Sequence, residues 1–305
     1  MAQKRSFRVM LAYCLPIFLW GSAFAGIRVG LESYTPEHLA LSRLLIGYIA
    51  LIFIAIITQM HLPELKDIPI ILLLGFLGFT VYHTALNVGE ETVSAGAASL
   101  LVSTTPIFST LLAVWFLRER FGLSRWIGSS ISFFGVVLIS LGTGGAVSFT
   151  NGVLFILLAA FSESIYFVFQ TRYLKKYGFL AFTTYTIWAG TFFMLFFFPG
   201  LISEMTKSSI DSTLSIVYLG LFPTVIPYLA LAYVTSHVGA SEATSSLYLT
   251  PALAFVIAWI WLGEVPTLLS LVGGVITLSG VMFMHIKVDK QNRVKHNTKQ
   301  VQKEI

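Results

Sequence analysis

Stretches of about twenty apolar residues, separated by short polar joints, recur along almost the whole chain. At a rise of about 1.5 Å per residue, such a stretch crosses a hydrocarbon layer of roughly 30 Å, and a backbone in lipid must satisfy its own polar groups as a helix. Ten stretches meet that test: residues 9–29, 39–57, 68–88, 95–117, 126–142, 152–170, 180–198, 214–234, 240–262 and 268–286. The joints, among them "ESYTPEH", "RERFGLSR" and "GLISEMTKSSIDS", are too short to hold a folded soluble domain. The pattern predicts an all-α integral membrane protein with ten transmembrane helices.

Composition agrees with this reading. Of the 305 residues 56% are hydrophobic and 11% charged, against roughly 25% charged in an ordinary soluble domain. The net charge of +5 does not point to nucleic acid, because six of the nineteen basic residues lie in the polar tail, residues 287–305, and most others flank apolar runs. With the N-terminus inside, sixteen of the nineteen basic residues fall on the cytoplasmic side. The positive-inside rule therefore predicts a multi-pass plasma-membrane protein with both termini cytoplasmic and a disordered basic tail. The first segment imitates a signal peptide, with Ala23-Phe24-Ala25 in place of a cleavage site, but the topology needs it retained. The lone cysteine, Cys14, excludes an intrachain disulfide and reads as packing.

The chain is written twice. "TTPIFSTLLAVWFLRE" from Thr104 and "LTPALAFVIAWIWLGE" from Leu249 place Pro106 and Pro251, and Glu119 and Glu264, at one offset: 251 − 106 = 145 and 264 − 119 = 145. At the same offset Gly75 meets Gly220, Gly128 meets Gly273 and Gly135 meets Gly280. An internal duplication explains this, with repeats at residues 9–143 and 152–286. Five spans per repeat is an odd number, so the second copy lies upside down relative to the first. Inverted repeats are an architecture for opening one central site to each side in turn, which predicts a transporter.

Several segments resemble the drug/metabolite transporter superfamily, in its ten-span branch built from two EamA domains. They are "WGSAFAGIRVG" from Trp20, "LSRLLIG" with Arg43, "AGAASLLVSTTPIFSTLLAVWFLRER" from Ala95 and "GASEATSSLYLTPALAFVIAWIWLGE" from Gly239. The resemblance covers about residues 9–286. It implies an inner-membrane exporter of small metabolites or amino acids, with a central cavity lined largely by spans one, three, four, six, eight and nine.

The residues themselves nominate a site. A charge near mid-membrane costs on the order of 3 kcal/mol on insertion scales, so ionisable groups there are functional candidates. Glu163, central in span six, shares a helical face with Tyr166 and Gln170 and is the candidate for proton coupling. Arg43, about one turn inside span two, must pair with an anionic or carbonyl partner, or snorkel to the interface. His83 and Asn87, four apart on span three, read as a hydrogen-bonded packing pair or a proton relay. Pro106 and Pro251 free carbonyls at the same depth of spans four and nine, where Ser103, Thr105, Tyr248 and Thr250 gather. Trp20, Tyr82, Tyr166 and Trp188 supply apolar walls with polar tips for an amphiphilic cargo. Glu119, Glu264 and Glu242 are candidates for hinges or gates, with the two prolines.

No phosphate-binding loop and no segment long enough for an ATPase domain occurs. Nor does an acidic cluster for magnesium or a nucleophile spaced with its base. The expected partners are therefore a small-molecule substrate and membrane lipid, with no cofactor, no metal and no enzymatic reaction. Proton antiport and passive facilitation both stay open.

Overall fold

A computed structural model describes residues 7–118, 122–142, 151–265, 267–269, 271–280 and 282–283. Helices make up its regular structure, with no strand among the described residues. They are α1 (Phe7–Leu31), α2 (Pro36–Ile57), α3 (Ile68–Gly75), α4 (Tyr82–Glu90), α5 (Ala95–Val102), α6 (Thr105–Phe116) and α7 (Leu123–Gly142). The second half has α8 (Asn151–Met194), α9 (Leu201–Lys207), α10 (Ile210–Leu221), α11 (Ile226–Val238), α12 (Ala240–Ser245) and α13 (Thr250–Leu262), followed by α14 (Leu271–Gly280). Seven helical stretches among the described residues are long and apolar enough to cross a membrane; one, Asn151–Phe197, has 47 residues. It is interrupted at Gly178, whose φ of 79° belongs to the left-handed region that glycine enters without strain. The chain is thus a multi-pass membrane protein, and its lipid-facing surface carries large apolar side chains such as Phe53, Trp115, Phe196 and Ile260.

Four of the expected spans are interrupted helices: spans four and nine, where the sequence marks breaks by Pro106 and Pro251, and also spans three and eight. The turn at Ser103 and Thr104 separates α5 from α6, with Pro106 in the first turn of α6, and a 3-10 turn over Ser246–Leu249 separates α12 from α13. The break between α3 and α4 is a π-helical segment, Phe76–Val81, and that between α10 and α11 is the turn at residues 222–225. Adding 145 to 76–81 gives 221–226, so the two repeats are irregular at the same place. Pro223 and Pro227 account for the second copy through their missing N–H groups; nothing in the first copy's composition has that effect.

The first helix of each repeat packs on the other repeat: α1 lies against α10, α11 and α13, and α8 against α3, α4 and α6. Equivalent positions of the two repeats are each met from the other repeat. The Trp20 indole donates to the Pro223 carbonyl at 3.1 Å, and the Tyr166 ring fills the space that a side chain at Gly78 would need, where 78 + 145 = 223. Gly75 approaches Gly190 with no room for a Cβ, as Gly220 approaches the Arg43 carbonyl beside Gly47.

The clearest symmetry lies between α7 and α14. Ser132 Oγ donates to the Thr277 carbonyl at 3.1 Å, and Thr277 Oγ1 returns a bond to the Ser132 carbonyl at 3.4 Å, two residues separated by 145. Around this pair Gly135 meets Gly273, and Gly280 meets Gly128. Residue numbers rise along one helix as they fall along the other, so equivalent helices of the two repeats run antiparallel. The axis relating the repeats is therefore perpendicular to these helices, as an inverted duplication requires.

At one end of the bundle Lys176 Nζ holds Asp67 at 2.5 Å and Glu64 at 2.8 Å, and Tyr177 donates to Asp67. The Lys176 ammonium holds the Glu64 carboxyl below the usual carboxylate range. At the other end, the joint expected to be irregular contains the short helix α9. Its Glu204 accepts from Thr35 N at 3.1 Å and lies 2.8 Å from His38 Nδ1. Each tether joins one repeat to the other.

Candidate functional site: a buried carboxyl and a buried guanidinium

The helix breaks converge on Glu163, which is 2% exposed and accepts a hydrogen bond from Tyr228 Oη at 3.0 Å. A cavity of about 20 Å³ adjoins it, lined by Trp20, Phe24, Tyr82, Ser103, Thr105 and Thr250, together with Ser99, Val102 and Leu247. That is room for about one water. The wall is assembled from α1, α4, α5, α6, α8 and α13 and the turn before α13, with α11 contributing Tyr228, so groups from both repeats meet here. Five sequence-nominated cavity residues, Trp20, Tyr82, Ser103, Thr105 and Thr250, are thus brought to one place with Glu163. Ser103 Oγ bonds the Ser99 carbonyl at 2.9 Å and Thr104 Oγ1 the Leu101 carbonyl at 2.7 Å. These hydroxyls serve their own helix end, while the Thr250 hydroxyl has no protein partner among the described residues.

A second cavity of about 10 Å³ lies beside Arg43, lined also by Trp20, Ala23, Phe24, Ile27, Tyr82, His83 and Leu86. Trp20, Phe24 and Tyr82 border both cavities and form the partition between them. Arg43 is 1% exposed and donates from Nε to Thr224 Oγ1 at 3.0 Å, so it turns inward instead of snorkelling. Among the described residues His83 has no hydrogen-bond partner at either ring nitrogen, and it packs against Phe79, Tyr82 and Tyr228. Asn87 does not bond His83: its Nδ2 donates to the Pro36 carbonyl at 2.9 Å, fixing the start of α2.

The other nominated residues lie elsewhere. Trp188 packs on Tyr48 and donates to its carbonyl at 3.4 Å, between α8 and α2. Tyr166 bonds Thr186 Oγ1 at 3.3 Å and buttresses the break beside Gly78, and Tyr248 is buried against Ile107. Pro106 and Pro251 stand in the first turns of α6 and α13. Glu264 reaches back to the start of α5, where it accepts from Gly96 N at 3.4 Å. That position suits a carboxylate, since helix N-termini present free N–H groups. Glu242 is in the first turn of α12; Glu119 lies outside the described residues. Among the described residues no group of three or more potential metal ligands occurs.

Sequence reasoning passed over Glu90, placed in a loop with Glu91. In fact it ends α4, is fully buried, and neither carboxyl oxygen has a hydrogen-bond partner among the described residues. Its spacing from His83 and Asn87, at i+7 and i+3, was the available signal, since that spacing continues one helical face. Tyr228 and Thr224 were also missed as site residues, because each acts only through a partner on another helix, Glu163 of the same repeat for Tyr228 and Arg43 of the other repeat for Thr224.

The EamA-like transporter family matches residues 7–141 and 150–286. An "Uncharacterized transporter YdfC" of Bacillus subtilis is 64% identical over 292 residues, 96% of this chain and 95% of the relative. A "Probable terminal-alkyne amino-acid exporter" of Streptantibioticus cattleyicolor is 37% identical over 278 residues, 91% of this chain and 93% of the relative. One solved crystal structure, 16% identical, superposes with a TM-score of 0.69 over 93% of this chain and 98% of its own, a likeness of fold alone. Two matched repeats and relatives along nearly the full length place this chain in the EamA-like transporter family, within the drug/metabolite transporter superfamily.

Proposed function

We propose that this protein is a secondary exporter of small amphiphilic metabolites of the amino-acid type. Its two inverted five-helix halves would expose the Glu163 cavity alternately to the cytoplasm and the exterior, with ten spans and both termini inside. The observation that carries this reading is the meeting of four interrupted spans from two antiparallel repeats around one buried carboxyl. Broken helices offer unpaired backbone groups to a cargo or coupling ion at mid-membrane depth. A carboxyl there can take up a proton in one conformation and release it in another. The amino-acid class is supported by the printed name of the Streptantibioticus relative. Cavities of about 20 and 10 Å³ hold water but not such a cargo, so transport requires the partition to separate.

The test is Glu163→Gln in proteoliposomes loaded with radiolabelled amino acids and small amphiphiles. Proton-gradient-driven flux should vanish while counterflow without a gradient persists. Full retention of gradient dependence would remove Glu163 as the coupling site. Gradient-independent flux in the wild type would replace antiport by passive facilitation.

A further inference from the structure

We infer that Arg43 is the anion-binding subsite of the transport cavity, so that the cargo is a carboxylate whose apolar part lies against the Trp20, Phe24 and Tyr82 partition. This rests on the exporter reading above and assigns a chemical class to the second cavity.

A guanidinium carries five N–H donors and stays charged. Arg43 uses one of them, on Thr224 Oγ1, and makes no other hydrogen bond and no ion pair with a described residue. The Thr224 hydroxyl spends its own proton on the Leu219 carbonyl at 2.8 Å. It therefore presents a lone pair to Nε and holds the fork in place. The other four donors are on the terminal nitrogens, and Arg43 lines the second cavity. Two parallel N–H donors fit a carboxylate bidentately, which a point charge such as lysine does not reproduce.

No neighbouring carboxyl oxygen bonds the Arg43 fork. His83 also lines the cavity with both ring nitrogens unpartnered among the described residues, and the Glu90 side chain, within electrostatic reach of Arg43 and Arg28, has no hydrogen-bond partner among them, only its backbone carbonyl accepting from Arg28 Nη1. Lone buried cations are costly in a membrane interior, so one held in a fixed orientation beside an unfilled space points to an anion supplied from outside. Glu163 lies across the same aromatic partition. Carboxylate at Arg43 and a cationic or proton-bearing end toward Glu163 is the polarity the two cavities define.

Leucine, valine and phenylalanine, each compared with its carboxamide, are the probes. They compete for counterflow in proteoliposomes of the full chain, and binding is read separately as thermal stabilisation in detergent. Wild-type protein should favour each acid over its amide by at least tenfold. Arg43→Gln should abolish that preference, and Arg43→Lys should restore only part of it. Thr224→Val, which keeps the charge but frees the fork, should lower the acid-to-amide ratio while leaving protein yield and melting temperature near wild type.

Equal handling of acids and amides by the wild type would overturn the carboxylate assignment and leave the exporter reading standing. So would an undiminished preference in Arg43→Gln. Failure of every probe in both flux and binding would overturn both. Should Arg43→Gln not fold, the Thr224→Val and Arg43→Lys ratios decide: an acid-to-amide ratio unchanged in both removes Arg43 from the site.

Discussion

Tyr228 on α11 and Glu163 on α8 belong to the same repeat, and a single hydroxyl at 3.0 Å connects the two helices. A hydrogen bond to a charged group contributes about 1.5–3 kcal/mol. Tyr228→Phe should therefore slow gradient-driven flux by about tenfold or more with little loss of folded protein; an unchanged rate would show that Glu163 works without it. At this scale the sequence was informative where chemistry alone marks a residue. Glu163 and Arg43 stand out because ionisable groups are rare within these apolar runs. It was uninformative where position depends on tertiary packing: Trp188 and Tyr248 have the same polar-tipped rings as Trp20 and Tyr82, yet face Tyr48 and Ile107 instead of a cavity. Asn87 likewise read as part of a pair with His83, because helical spacing cannot reveal that the Pro36 carbonyl waits on another element.

Helices α7 and α14 meet through small residues, so a side chain larger than hydrogen has nowhere to go. A Cβ on Gly135 would lie 2.6 Å from the Gly273 carbonyl, and one on Gly280 would lie 2.6 Å from the Gly128 carbonyl. Overpacking of this kind costs about 1–3 kcal/mol. Gly135→Val and Gly280→Val should lower thermal stability by matching amounts, because each inserts the same bulk into one half of a symmetric contact. Unequal losses, with one variant near wild type, would contradict the symmetry. The duplication was legible from prolines and glycines at a constant offset, and Pro106 and Pro251 marked the breaks in spans four and nine. The π-helical segment at Phe76–Val81 was not legible. Its only trace is that residues 221–226 of the second copy contain Pro223, while the first copy has Gly78 at that position, filled from outside by Tyr166. Short helix α9 escaped notice for a related reason: seven residues carry too little periodicity to stand out, and its anchor, Glu204 on Thr35, is supplied by the other repeat.

At the scale of the whole molecule, orientation in the membrane follows from charge and can be checked where charge is silent. The joint after Ser236 has no lysine or arginine, so the positive-inside rule says nothing about it locally; its side is set only by its place in the inverted order of spans. A reporter fused after Ser236 should behave as cytoplasmic, and periplasmic behaviour would break the proposed topology. The reciprocal bonds of Ser132 and Thr277 carry one more implication. Each copy of the motif finds its mate in its own duplicate, so recognition is built into the bilayer-embedded surfaces and owes nothing to the covalent bridge spanning 143–150. Two separately translated polypeptides, severed in that bridge and expressed together, should recover one another in the membrane and copurify through a tag on either piece, whereas neither piece carrying Gly135→Val or Gly280→Val should do so efficiently.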